Sequence, residues 1–282
     1  MSLPKLAHPT QSNDQGFWRY TDRFSTALQK KMFLAASLLT DPVCLAHETF
    51  RQIQIINHEN SQDKLITKLV EKFLLILRFS FYGSLVLITT MPGMVLRFLA
   101  IKLQGKAFLS YNSEDTIEET TFENRKITLL SWNVCFLGGG YSISEGGVFP
   151  WRDRIDRLIQ KILIPQEDSK KSPDVVCLYE TFDTSAAFYI VEHLKKEGYN
   201  HIFWNIGPKT TGVSSGILVA SRFKIINPEF TPFPLDTLVG RTKGTTKGVF
   251  SFDLEYKKDT YAKIFSTHLQ HSELPKFPTI DE

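Results

Sequence analysis

PDVVCLYE, residues 173–180, opens on a Pro-Asp turn signal, runs through a continuous apolar stretch and ends on a carboxylate. A short apolar run bounded by turn residues and rich in β-branched side chains reads as a strand buried on both faces. Two further stretches share this form: SWNV (131–134), carrying Asn133, and FSTHLQHSE (265–273), carrying His268. Each run of β-branched and aromatic residues thus leads to one polar residue able to meet a metal or a phosphate. Strands that deliver polar side chains at their C-terminal ends build a site along one edge of a sheet, where open α/β folds place ligands.

The segments between these strands supply helices. FPWRDRIDRLIQKIL (149–163) is amphipathic, with Ile155, Leu158, Ile159 and Ile162 on one face. TSAAFYIVEHLKKEGY (184–199) ends on Lys-Lys-Glu-Gly, a helix C-terminal signal. Only strand candidates follow: SSGILVASRFKII (214–226), KGVFSFDLEY (247–256) and YAKIFSTHL (261–269), the last two joined by the turn KKDT. The order β-α-β-α followed by antiparallel strands predicts an α/β fold with a mixed sheet and outer helices.

Residues 1–110 have another character. LVEKFLLILRF and MVLRFLAIKL are built from good helix formers. From about 73 to 101 the chain is almost wholly apolar, and the 18 residues 79–96 carry no charge. A helix of that length nearly spans a bilayer core of roughly 30 Å. Pro92-Gly93 is expected to kink or break it, giving a bent span or a hairpin that dips in and returns. Lys64, Lys68 and Lys72 precede the segment, and Lys102 and Lys106 follow it, so charge does not choose an orientation. A buried helix pair in a soluble domain is the alternative. FSTALQKKMFLAASLL (24–39) suits an interfacial or a packing helix. Residues 111–124, YNSEDTIEETTFEN, read as an acidic linker, and residues 125–282 as the α/β domain. The expectation is a membrane-associated protein with this domain on the cytoplasmic side.

Composition is that of an ordinary folded protein, and a net charge of +3 makes no case for nucleic acid by itself. The three cysteines, Cys44, Cys135 and Cys177, have neither metal nor disulfide spacing and read as free thiols. A carboxylate at Glu180, at the end of a buried strand, is costly unless a positive partner meets it, and Mg²⁺ suits hard oxygen ligands. Asn133 offers an amide oxygen and donors; His268 offers a donor to a phosphoryl oxygen. Singly, each also suits a structural role: a turn asparagine, a glutamate near a helix start at Thr181–Asp183, and a satisfied histidine.

Taken in order, SWNV, the arginine-bearing PWRDRIDRLIQKI, PDVVCLYE, SSGILVASRFKI, KGVFSFDL and FSTHLQ resemble the endonuclease/exonuclease/phosphatase superfamily over roughly residues 125–272. THLQ with KGV upstream looks most like its neutral sphingomyelinase branch. The resemblance implies a four-layer α/β sandwich of two mixed sheets with outer helices, and Mg²⁺-dependent hydrolysis of phosphate esters. It implies Glu180 and Asn133 as metal ligands, Asn133 also as a phosphate contact, and His268 as the group stabilising charge on the scissile phosphate. Lys247 of KGV is implied as a substrate contact, Ser215 and Gly216 as the segment beside the site, and Arg154 as a structural arginine. Tyr179 departs from the glutamine common in the family.

The family's later Gly-Asp-x-Asn segment and final histidine do not occur before Glu282, so the resemblance implies a C-terminally incomplete domain. Missing strands would leave open edges, and loss of a general base costs about 10²–10⁴-fold, so slow hydrolysis is the expectation for this chain. The leading reading is a membrane-associated phosphodiesterase acting on a phospholipid. A nuclease of the same superfamily and an inactive membrane adaptor are the alternatives.

Overall fold

The computed structural model describes residues 27–58, 65–104, 108–113, 127–137, 148–163, 172–207, 214–234, 237–238, 245–257 and 260–269. Most of the expected linker (111–124) and the segment after Leu269 lie outside the described residues. The N-terminal region is a pair of long helices, α1 (Ala27–His58) and α2 (Leu65–Gln104). Pro92 lies inside α2 without ending it, against the expected break. Gly93 accounts for the close packing here: a Cβ on it would lie 2.8 Å from Thr40 Cγ2 and 3.2 Å from the Ala36 carbonyl oxygen of α1. The helices are antiparallel, with the Phe50 and Phe79 rings 6.0 Å apart further along. Over Ile66–Ile101, α2 is long and apolar enough to cross a membrane by length and composition.

The second region is α/β, as its element order predicted. Its first sheet is five-stranded and mixed: β1 (Leu109–Asn112), β2 (Leu129–Phe136), β3 (Val175–Thr181), β4 (His201–Trp204) and β5 (Leu218–Ser221), in the order β1-β4-β5-β3-β2. The parallel β2–β3 pair is joined through α3 (Trp151–Leu163), the βαβ connection. The second sheet is antiparallel, β6 (Lys224–Pro232), β7 (Gly248–Lys257) and β8 (Thr260–Thr267) in sequence order. SSGILVASRFKII, read as one strand, is two: β5 belongs to the first sheet and β6 to the second. Two strands escaped the sequence reading. β4 is a short, wholly buried HIFW, and β1 lies where the helical region was expected to give way to the linker.

Period-two alternation along β3 explains why its whole length is apolar. Val176 and Leu178 face α3 and α4 (Thr184–Lys196), packing with Ile155, Ile162, Ile190 and Val191. Val175 and Cys177 face the other sheet, packing in a core with Phe203, Val219, Phe250 and Phe252. The observed layers are therefore α1/α2, then α3/α4, then two sheets face to face. Among the described residues no helix covers the outer face of β6–β8, where Phe265 is 64% exposed. β2 is an edge strand and largely exposed, unlike the buried strand expected for it.

Phe250 sits at the centre of the inter-sheet core, its ring centroid 5.8 Å from Phe108, 5.5 Å from Phe203 and 5.7 Å from Phe252. Phe250→Ala is expected to cost about 3–5 kcal/mol, read as a lowered urea midpoint with an unchanged slope.

Candidate active site

The site begins with an irregularity. In the β2–β3 pair, Asn133 is opposite Tyr179 and Phe136 is opposite Thr181, so Val134 and Cys135 together face Glu180. That is a β-bulge, and it places two non-glycine residues in the left-handed region, Cys135 at φ 51° and Glu180 at φ 61°. Such a conformation costs on the order of 1 kcal/mol or more per residue and persists only where the surroundings enforce it. Arg154 supplies one constraint. Its Nη1 donates to the Val134 carbonyl at 3.0 Å, its Nη2 to Cys135 at 2.7 Å and its Nε to Phe149 at 2.8 Å. The structural role expected of Arg154 is thus to hold the carbonyls that the bulge leaves unpaired.

The kink redirects Glu180. Simple alternation after Leu178 and Tyr179 would aim it at the helix layer. Instead its Oε1 accepts from Asn133 Nδ2 at 2.9 Å and lies 3.5 Å from His268 Nε2, which follows β8 in the other sheet. His268 Nδ1 donates to the Ser215 carbonyl at 3.1 Å. Lys247 Nζ, just before β7, lies 2.8 Å from Nδ1 and 3.0 Å from Nε2 of the same ring. Glu180, Asn133, His268 and Lys247 therefore form one cluster, drawn from β3, β2 and the flanks of β8 and β7.

Aromatic residues enclose it. Phe182 stacks 5.7 Å from the His268 ring, and Lys247 Nζ lies 5.2 Å over its face. Gly216 is required beneath Phe182: its φ is +76°, and a Cβ would come within 2.7 Å of Phe182 Cε1. Tyr179 lies 6.0 Å from the His268 ring and accepts from Ser266 Oγ at 3.3 Å, so it joins β3 to β8 below the cluster. Nothing in the sequence distinguished Phe182 from an ordinary apolar residue. The glycine in SSGI, two residues after Ser214, was the only local hint of a close approach.

The electrostatics follow from these contacts. The His268 hydrogen bond, then Asn133 and the Lys247 charge, hold the Glu180 carboxyl down at about 2 despite partial burial. Burial pulls the Lys247 ammonium down to about 8, with the Glu180 charge working the other way. Burial and the Glu180 charge push the Cys135 thiol up to about 12, so it stays protonated.

Glu180 is thus an ionised carboxylate at neutral pH. Asn133 turns its Nδ2 to that carboxylate while its Oδ1 accepts from the Cys135 N–H at 3.1 Å, so a half-turn of the amide is needed to present oxygen to a cation. Among the described residues no group of three or more His, Cys, Asp or Glu side chains could hold a metal. The donors fit only a hard cation that keeps most of its water, which is how Mg²⁺ binds through one or two carboxylates.

No protein-family model and no curated protein matches the chain. Among solved structures it is similar to that of SmcL, at 24% identity and a TM-score of 0.41, over 53% of this chain and 51% of that one. It is also similar to beta toxin from Staphylococcus aureus, at 20% identity and a TM-score of 0.41, over 52% of each chain. Sphingomyelinase C from Streptomyces griseocarneus gives 18% identity and a TM-score of 0.40, over 53% of this chain and 51% of that one. The chain spans about half the length of these structures, and each likeness is partial.

The depressed Glu180 carboxyl predicts how stability depends on pH in metal-free buffer. The folded state holds Glu180 ionised down to about 2, against an ordinary value of 4.5. The unfolded chain therefore takes up the proton first as pH falls. The contribution is present above pH 4.5 and is lost between there and pH 2; allowing for solvent screening it amounts to about 1–2 kcal/mol. Acid titration of the unfolding midpoint should show this loss, and Glu180→Gln should flatten that part of the curve.

Proposed function

We propose that this chain is a Mg²⁺-dependent phosphodiesterase of the sphingomyelinase type. It cleaves the head-group phosphodiester of a phospholipid while associated with a membrane, its α/β domain on the cytoplasmic face. The observation that carries this reading is the cluster itself: one carboxylate, one amide, one imidazole and one buried ammonium, drawn from both sheets to a single edge. Hydrolysis adds the oxygen of water to phosphorus, breaks the bond to the leaving oxygen and returns a proton to that oxygen. The negative charge that builds on the non-bridging oxygens has to be met by pre-placed donors.

Lys247 and His268 are those donors. Lys247 is only 4% exposed, and burying its ammonium is costly without an anion, which marks it as a group arranged for a ligand rather than for stability. Ser215 holds the imidazole from Nδ1, with Nε2 toward Glu180 and Lys247 Nζ beside both ring nitrogens. Phe182 and Tyr179 limit the ring's movement and keep water away from it. Glu180 would hold Mg²⁺, with Asn133 beside it. Bound there, the ion supplies positive charge that neutralises a phosphoryl oxygen.

The test is release of the phosphorylated head group from choline-bearing lipid in mixed micelles with Mg²⁺, using the full chain. Glu180→Gln, His268→Ala and Lys247→Met should each lower turnover about 10²–10³-fold. Mg²⁺ should raise the unfolding temperature of the parent protein and leave that of Glu180→Gln unmoved. Absence of both the release and the thermal shift would overturn the reading, and nicking of plasmid DNA instead would make it a nuclease.

Lys247 gives two further expectations. Its folded-state value of about 8 lies below the ordinary 10.5, so the unfolded chain binds the extra proton between them and stability rises with pH across that window. At pH 7 the buried ammonium is a cost, and Lys247→Met should raise stability by about 1–2 kcal/mol while activity is lost. The activity that needs the cation should fall as pH rises through about 8.

A further inference from the structure

Asp41 and Glu48 of α1 are seven residues apart, so they lie on one face of the helix, about 10 Å from each other along its axis. That face meets two helices of the α/β domain, each at its second residue. Asp41 Oδ1 accepts from Ser185 Oγ of α4 at 2.8 Å. Arg152 of α3 donates to Glu48 Oε1 at 2.6 Å and lies 3.3 Å from Asp41 Oδ2. From α2, Arg97 Nη2 donates to Thr184 Oγ1 at 3.4 Å, beside Ser185. Stability alone does not explain the choice of residues. Glu48 is 4% exposed and Asp41 is partly buried, and burial raises both carboxyls above their ordinary values against the pull of Arg152 and, at Asp41, of Ser185. Buried ion pairs are commonly no more stabilising than apolar side chains of the same size. What they add is direction, since a carboxylate fixes a hydroxyl or a guanidinium in one geometry.

The two helix starts held in this way are the ones that carry the site. Glu180 lies five residues before Ser185, with Phe182 between them. The connecting backbone is tied down closely: the Thr181 N–H donates to the Gly216 carbonyl at 2.9 Å, and the Phe182 and Asp183 N–H groups both donate to the Phe136 carbonyl, at 3.1 and 3.0 Å. On the α3 side, the Trp151 ring lies 6.5 Å from that of Phe136. Arg154, two residues after Arg152, holds the Val134 and Cys135 carbonyls of the bulge. Two turns of α1 therefore grip both sides of the bulge, β2 by way of α3 and the exit of β3 by way of α4.

We infer that Asp41 and Glu48 are positioning residues for the site: acting through Ser185 and Arg152, they fix the backbone that aims Glu180 at His268 and seats Phe182 against the imidazole and Lys247. Neither touches the cluster. Their hold on the β3–α4 turn is a property of the fold, and its effect on turnover rests on the hydrolysis proposed above. A site of this kind loses rate steeply when its groups are misplaced by a fraction of an ångström, so a contact some residues away governs the chemical step without altering affinity for substrate.

The experiment compares the full chain with Asp41→Ala, Ser185→Ala, their double variant and Ser185→Thr. Amide hydrogen exchange is read at Thr181, Phe182 and Asp183, with Phe252 in the middle of β7 as the reference. Asp41→Ala and Ser185→Ala should each speed exchange at the three turn amides about tenfold and leave Phe252 unchanged. In the Mg²⁺ assay on choline-bearing micelles, each should lower kcat about tenfold with KM unchanged. The double variant should lose no more than either single one, because both act through one contact, and Ser185→Thr, which keeps the hydroxyl, should behave as the parent does. Should Asp41→Ala fail to fold, Ser185→Ala, which removes a single oxygen atom, carries the test. Unchanged exchange at the turn would overturn the inference. So would faster exchange at Phe252 as well, with kcat per folded molecule equal to the parent's, since that is a role in stability alone. A parent without turnover would overturn the proposed hydrolysis, while faster exchange confined to the turn would still establish the hold of α1 on it.

Discussion

The bulge between β2 and β3 is the constraint on which the site depends. Two neighbouring non-glycine residues, Cys135 and Glu180, occupy left-handed backbone there, and Arg154 satisfies the carbonyls the bulge strands. A regular pair of strands would keep the strict alternation of side chains and send Glu180 into the helix layer. With the bulge, a carboxylate at the end of the first sheet reaches the imidazole at the end of a strand in the second. The strain is local, and the inter-sheet core beneath it, from Cys177 to Phe250, is large enough to sustain it.

Charge is distributed around that carboxylate in a way that packing alone does not require. Lys247 is almost fully buried beside a ring that Ser215, Phe182 and Tyr179 hold in place. An apolar side chain of similar length would be the more stable choice, because an ammonium out of water is repaid only by good anionic contacts. The Glu180 charge favours the ammonium, and Glu180 itself remains ionised. The cluster thus has a carboxylate suited to a hard cation on one side, and an ammonium and an imidazole suited to an anion on the other. A metal-bound phosphate ester presents both partners at once.

The helix pair is joined to this site by covalent proximity as well as by contact. Asp183 caps α4 through its side chain, accepting from the Ala186 N–H, and the next two residues are those bonded to Arg97 and Asp41. The turn that carries Glu180 and Phe182 into the site is therefore the turn against which α1 and α2 rest. An apolar surface on α2 and the cluster on the sheet edge are parts of one arrangement, linked through the ion pairs of Arg152 with Asp41 and Glu48.

Much of the architecture was legible because it is periodic. The apolar run in VVCLY, the helical face of Ile155, Leu158, Ile159 and Ile162, and the alternation of KGVFSFDLEY each specify one kind of element, and their order specifies a mixed sheet with outer helices. The residues at strand ends, Asn133, Glu180, Lys247 and His268, stood out for a related reason: a polar group closing an apolar run has to find a partner. What the chain did not disclose depends on distance along it. β1 and β4 are four-residue strands whose pairing partners lie some ninety residues apart, and no local pattern encodes such a pairing. SSGILVASRFKII reads as one strand, since hydrophobicity does not record that the chain changes sheets at Arg222 and Phe223. The left-handed turn at Glu180, the place of Phe182 over Lys247 and the packing of α1 and the end of α2 against the domain were likewise decided by tertiary packing. Composition marks which residues are to be buried or charged; only the folded chain determines which of them face one another.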